Sequence, residues 1–195
     1  MLAADPRIDK TRIGIMGWSR GGEAAAYAAL ETARKAAIDD DLKFAVHIIF
    51  YASTASQYRD NATDRAPMLF LHGEADNYDL AATTRDYSEW LKSMGNPVTF
   101  IAYPKTHHDF DVPGQFSGFA KDLQVFSHCD LVVDIPSGHV VRMGHEEVTQ
   151  ASLEKMPAYF KSCITHGATI EYNAKARADA VEKVHDFLKA NFRSN

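Results

Sequence analysis

The chain reads as short apolar runs separated by longer mixed ones. Arg12 to Met16 is a brief apolar stretch, interrupted by Gly14 and closed by Gly17, and it predicts a strand. Gly21 to about Ala37 is rich in alanine and free of proline, which predicts a helix. Phe44 to Tyr51 is apolar apart from His47, rich in aromatic and β-branched residues and too short for a stable helix, so it predicts a buried strand. Pro67 to Leu71 repeats that pattern. Asp79 is placed to cap a helix from Leu80 to Met94 that Gly95 stops, and Val98 to Tyr103 supplies a further strand ended by Pro104. Near the C-terminus Val181, Val184, Phe187, Leu188 and Phe192 recur at helical spacing behind Asn173, a second cap candidate. Strands alternating with helices predict an α/β protein with a mostly parallel sheet covered on both faces.

That rhythm breaks between Pro113 and Asn173. Leu131 to Ile135, the turn-like Pro136-Ser137-Gly138 and Val140 to Met143 predict a β-hairpin, and Pro157 to Ile164 predicts a short helix stopped near Gly167. Residues 114–172 are therefore expected to form an insertion or cap within a single domain spanning residues 1–195.

Composition narrows the function classes. With 195 residues, 46% apolar and 24% charged, the chain has the make-up of a folded soluble domain. Its 21 basic against 26 acidic residues give a net charge of −5, which leaves no basic surplus for a nucleic acid or an anionic membrane. Phe44 to Ala52, the longest apolar run, is far below the ~20 residues of a membrane helix. Met1 to Asp5 lacks the basic and apolar regions of a signal peptide. As written, the chain is expected to be cytoplasmic, with no membrane or nucleic-acid partner; an upstream export segment would make it periplasmic or secreted. Cys129 and Cys163 allow one disulfide, which would staple the insertion, or two free buried thiols.

The chemistry is concentrated at the ends of the predicted strands. Gly17-Trp18-Ser19-Arg20-Gly21 is a G-x-S-x-G pentapeptide set between a strand and a helix. Such a turn strains the serine, lifts its hydroxyl above the sheet edge, and is expected to need glycines on both sides to avoid collision. The alternative is a glycine-rich turn in which Ser19 merely caps the helix. A serine nucleophile needs a base, and the base needs a carboxylate. Asp76 follows the strand Pro67 to Leu71, and His108 follows Val98 to Tyr103, so Ser19, Asp76 and His108 occur in the order and at the strand ends this architecture requires. The Arg20 backbone N–H, at the helix start, is the expected oxyanion donor.

Gly17 to Gly22, His72-Gly73-Glu74-Ala75-Asp76, and Tyr103-Pro104 with His108-Asp109-Phe110 resemble the corresponding segments of α/β-hydrolases, specifically the dienelactone hydrolase family. The resemblance spans roughly Ile8 to Pro113 and resumes at the C-terminal helix. It implies an α/β-hydrolase fold with Asp76 as the acid and His108, the histidine preceding x-Phe, as the base. Dienelactone hydrolases proper carry a cysteine nucleophile, so Ser19 points to a broader carboxylesterase-like member. In that family several strands and a second oxyanion donor precede the nucleophile, whereas only 18 residues precede Ser19. The N-terminal part of the sheet is accordingly expected to be missing from this chain.

The reaction implied is hydrolysis of a small-molecule carboxylic ester through an acyl-enzyme, without cofactor or metal. Two other readings stand beside it. One is a truncated, catalytically silent module that pairs, as a homo-oligomer or otherwise, through an exposed sheet edge; the other is a prolyl-oligopeptidase-like peptidase. Among neighbouring residues, Asp79 could replace Asp76 as the acid but is better explained as the helix cap. Asp60 and Asp64 are expected to be solvated in a polar loop. Trp18 is expected to form a pocket wall or to pack under the cap. His107 would line the pocket or face solvent, and His72 would bond a backbone group. Arg20 would meet an anionic substrate group or a surface carboxylate. A metal site at His107, His108, Asp109 and Asp111 is disfavoured, because adjacent side chains diverge.

Overall fold

The buried apolar runs become a sheet covered on both faces at its central strands, while Met16 and Trp18 on its first strand stay exposed. In the computed structural model, which describes residues 2–38 and 41–192, β1 (Ile15–Trp18) turns at Ser19 into α1 (Arg20–Tyr27) and α2 (Glu31–Ala37). β2 (His47–Phe50), β3 (Ser56–Arg59), β4 (Met68–Gly73), α3 (Ala81–Ser93) and β5 (Val98–Tyr103) follow. β1, β2, β4 and β5 pair in that order, all parallel, with Trp18 opposite Phe50, Phe50 opposite Leu71 and Leu71 opposite Ile101. This register brings the loops after all four strands to one end of the sheet.

Alternation along the strands divides the core. Ile49, Met68 and Phe70 point to one face and pack with Ala25, Ala26 and Ala29 near α1 and with Tyr87 and Leu91 of α3. Ile48, Phe50, Leu69 and Leu71 point to the other, where Ala176, Ala180, Val184, Phe187 and Leu188 of α6 (Ala174–Asn191) cover them. Asn173 caps α6 as expected, its side-chain oxygen accepting the Ala176 N–H at 3.1 Å. Val181, counted from spacing as part of the apolar stripe, is 57% exposed; Ala176 and Ala180 take its place against the sheet.

Residues 114–172 contribute β6 (Gly118–Val125), β7 (Leu131–Asp134), β8 (His139–Met143), β9 (Glu146–Glu147), α4 (Gln150–Glu154), α5 (Met156–Cys163) and β10 (Thr165–Ile170). The expected hairpin forms as β7 and β8, and it extends into a four-stranded sheet in the order β3, β7, β8, β9. β3 is legible in no apolar pattern, since Ser56-Gln57-Tyr58-Arg59 is polar in three of four positions. β10 pairs antiparallel with β6. Cys129 and Cys163 form a disulfide rather than two free thiols, joining the segment before β7 to the end of α5. Among the described residues no helix is long and apolar enough to cross a membrane.

Three expectations are corrected. The helix predicted over Gly21 to Ala37 is two helices, because the loop before β4 takes the backbone groups between them: the Asp64 N–H donates to Ala29 at 2.8 Å, and the Glu31 N–H donates to Ala62 at 3.0 Å. Asp79 caps nothing, since Leu80 is the N-cap of α3 and makes no side-chain cap bond. Asp60 is buried and the Asp64 side chain is 1% exposed, so neither is solvated. Asp60 accepts the Thr32 N–H at 2.6 Å, anchoring the first turn of α2. Asp64 lies 2.7 Å from Nε2 of His47, whose Nδ1 lies 2.8 Å from the Ala25 carbonyl, so this pair ties β2 to α1 and to the loop before β4.

The His47 and Asp64 side chains are 0% and 1% exposed, so removing one partner leaves the facing atom of the other buried and unpaired. Asp64→Ala should lower stability by about 3 kcal/mol. The urea midpoint should fall while the m-value is unchanged, and a loss below about 1 kcal/mol would show that the pair contributes little.

Candidate active site

The turn at Ser19 has the geometry that the pentapeptide requires. Ser19 sits at φ 51°, ψ −120°, in the positive-φ region that disfavours side chains. Its N–H donates to the Phe50 carbonyl at 3.0 Å, and its carbonyl accepts from the Glu23 N–H at 3.0 Å, so backbone bonds clamp it from both sides. The hydroxyl makes no cap bond to α1, which removes the reading of Ser19 as a helix cap. It instead lies 3.2 Å from Nε2 of His108. The Arg20 N–H opens the first turn of α1, where helical N–H groups lack intrahelical acceptors. A Cβ on Gly17 would come 2.0 Å from the Gly21 carbonyl oxygen, and one on Gly22 would come 2.8 Å from that of Phe50. Gly21 meets nothing within 4 Å, so Gly17 and Gly22 relieve the crowding, not the expected Gly17 and Gly21.

His108 and Asp76 arrive on the loops after β5 and β4. These loops approach so closely that a Cβ on Gly73 would lie 2.2 Å from the Thr106 carbonyl oxygen, and the Ala75 N–H donates to that carbonyl at 3.0 Å. Asp76 Oδ1 accepts the Tyr78 and Asp79 N–H groups at 2.9 Å each, and Oδ2 accepts Nδ1–H of His108 at 2.8 Å. With Nδ1 committed as a donor, Nε2 of the neutral ring is an acceptor and the Ser19 hydroxyl donates to it. Burial alone would raise the Asp76 carboxyl, yet hydrogen bonds from His108 and His72 hold it well below the ordinary range. Burial opposes the charged form of His108, but the Asp76 hydrogen bond and the charges of Asp76, Asp79 and Asp109 outweigh it and raise its pKa above 6.5.

Around this line stand two tyrosines that the sequence did not single out. Tyr51 and Tyr78 meet the His108 ring edge-on, at centroid distances of 4.7 and 4.8 Å. The Tyr51 hydroxyl and Trp18 Nε1–H both donate to Asp111, each at 2.7 Å. The signal for Tyr51 was its place directly after β2, at the same sheet end as the other site residues. A cavity of about 330 Å³ opens on Ser19, lined also by Arg20, Glu23, Ser53, Tyr78, Asp79 and Phe126. A larger one of about 630 Å³, around Arg59 and Arg142, shares none of these residues.

The remaining candidates distribute as follows. Arg20 is exposed at the cleft and makes no ion pair among the described residues. Trp18 stacks on Phe50 and lines a separate apolar cleft with Met16 and Val181, so it is a wall of that cleft rather than of the Ser19 cavity. His107 turns away to Glu171, 3.7 Å distant, and lines neither cleft. His72 Nε2–H donates to the Asp79 carbonyl at 2.8 Å, the backbone role expected of it. His107 turns to Glu171 and Asp111 to Trp18 and Tyr51 while Asp109 stays 3.8 Å from His108, and no group of three or more metal-ligating side chains assembles among the described residues.

Comparison with known proteins decides the family. The model of the dienelactone hydrolase family matches residues 1–127. The chain belongs to the dienelactone hydrolase family. Its α/β-hydrolase fold matches a crystal structure described as a dienelactone hydrolase-like promiscuous phosphotriesterase from metagenomic libraries, at 12% identity and a TM-score of 0.52, over 98% of this chain and 57% of that one. An esterase from the planctomycete Thermogutta terrifontis with bound propionate aligns at 22% identity and a TM-score of 0.48, over 58% of this chain and 52% of that one. An α/β-hydrolase enzyme from a Medee basin deep-sea metagenome library aligns at 17% identity and a TM-score of 0.45, over 55% and 44%. The chain thus spans about half the length of these solved structures. No curated protein matches it.

Within this family member the elbow glycines should respond unequally to substitution. Gly17→Ala should unfold the turn or displace Ser19, costing more than about 2 kcal/mol, because only backbone lies in the path of the added methyl. Gly21→Ala should fold with wild-type stability to within about 0.5 kcal/mol. Thermal melts of the two proteins check this, and equal losses would show that crowding does not govern the turn.

Proposed function

We propose that this chain is a serine hydrolase acting on carboxylic ester bonds through an acyl-enzyme. The observation that carries this reading is the single hydrogen-bonded line from Ser19 Oγ through the His108 ring to Asp76, at 3.2 and 2.8 Å, with Ser19 facing an open cleft. His108 Nε2 takes the hydroxyl proton as Ser19 Oγ bonds to the ester carbonyl carbon. The imidazolium returns that proton to the departing alkoxide, and the alcohol leaves. Water then loses a proton to Nε2 and attacks the acyl carbon; Ser19 leaves with the returned proton and the acid is released. Asp76 fixes the tautomer and stabilises the imidazolium throughout. The Arg20 N–H, at the positive end of α1, faces the developing oxyanion. The small cleft suits a short ester, and Arg20 and Glu23 at its mouth suit one with polar substituents.

Turnover of p-nitrophenyl acetate should fall to background in Ser19→Ala, and by about 10⁴-fold in His108→Gln, while His107→Gln stays within twofold. The rate should rise with pH as neutral His108 accumulates, with its midpoint above the ordinary 6.5 because the folded site favours the imidazolium. Equal rates in wild type and Ser19→Ala would refute the reading. Labelling of any residue but Ser19 by a fluorophosphonate would refute the nucleophile.

A further inference from the structure

Asp79 is a buried carboxylate to which neither the triad nor the helix assigns a task. It is 6% exposed and caps nothing, and its Oδ2 lies 3.8 Å from Nδ1 of His108, on the nitrogen that Asp76 engages at 2.8 Å. The same side chain lines the Ser19 cleft. Its backbone is held independently of its carboxyl: the N–H donates to Asp76 Oδ1 at 2.9 Å, and the carbonyl accepts from His72 Nε2 at 2.8 Å. One imidazole therefore faces two buried carboxylates, one in a direct hydrogen bond and one about an ångström farther off.

We infer that Asp79 is a second positioning residue for His108, stabilising its imidazolium alongside Asp76 and able to hold Nδ1–H when Asp76 is lost. The inference rests on the triad geometry proposed above. An ionised group at this range favours the charged ring, since opposite charges within 4–6 Å shift a pKa by about 1–3 units. Asp79 is in turn set by what surrounds it. Burial raises its carboxyl to about 6, with the neighbouring Asp76 charge acting in the same direction and His108, the Ser53 hydroxyl and His72 opposing. Glu23 of α1, Tyr78 on the same loop, Tyr51 after β2, whose ring lies 4.7 Å from that of His108, and Asp109, whose Oδ1 lies 3.8 Å from Nε2 of His108, are the other titratable groups facing this cluster, with Arg20 the nearby cation at the cleft. Above that range Asp79 is ionised and supports the imidazolium. Below it Asp79 is neutral, and Asp76 acts alone.

The test is the NMR titration of the His108 ring, assigned by its loss in His108→Gln, in wild type, Asp79→Asn and Asp79→Glu. Asp79→Asn should lower the His108 midpoint by about one unit, and Asp79→Glu should keep it near wild type. In the unmutated protein the Asp79 carboxyl carbon should titrate near 6 with a matching inflection in the His108 shift, a reading that needs no variant. An unchanged midpoint in Asp79→Asn, or no inflection in wild type, overturns the inference. In a second arm, fluorophosphonate labelling of Ser19 should be at least about tenfold slower in Asp76→Asn/Asp79→Asn than in Asp76→Asn, and equal rates overturn the substitute role. The titration requires no ester turnover, so a protein inactive on esters would refute the proposed function and still report on Asp79.

Discussion

Ser19 can face His108 only because four parallel strands end in register. Trp18, Phe50, Leu71 and Ile101 stand level across β1, β2, β4 and β5, so the residues that follow them meet at one height above the sheet. A parallel slip by one residue would turn each side chain to the opposite face and bury the wrong half of both core clusters. The apolar packing that fixes the register is thus also what aligns the site.

Above the sheet the same burial acts on two carboxylates with opposite results. Asp76 receives backbone and imidazole hydrogen bonds and stays ionised against its desolvation. Asp79, three positions on, has less compensation and is pushed up to about 6. Local hydrogen bonding rather than depth separates them. The aromatic edges of Tyr51 and Tyr78 confine the ring between these groups. Confinement keeps one nitrogen toward the carboxylates and the other toward Ser19.

Much of this was legible in the chain, and the failures share a physical origin. β2 and β4 could be read because they are buried on both faces, and continuous apolar runs record that directly. Ser19, Asp76 and His108 could be placed because strand ends and glycine-rich turns leave local marks. Long-range contacts leave none. The split between α1 and α2 depends on backbone groups near Thr63, and the polar strand β3 exists because β7 lies beside it. Asp79 looked like a cap because caps are the commonest use of aspartate before a helix, and only the fold brings His108 within reach of it. Asp60 and Asp64 fail expectation for the same reason, their side chains being covered by elements remote in sequence.

Gly17, Gly22 and Gly73 carry a further consequence, one for the evolutionary paths open to this protein. Alanine in place of glycine commonly stabilises a fold by narrowing the unfolded ensemble. At these three positions that route is closed, since each added methyl would strike backbone rather than a side chain able to yield. The disorder that these glycines lend the unfolded chain therefore persists in every descendant that keeps the elbow and the contact between the two loops. Adaptation to heat has to draw on other parts of the molecule, Gly21 among them, where an added methyl meets nothing.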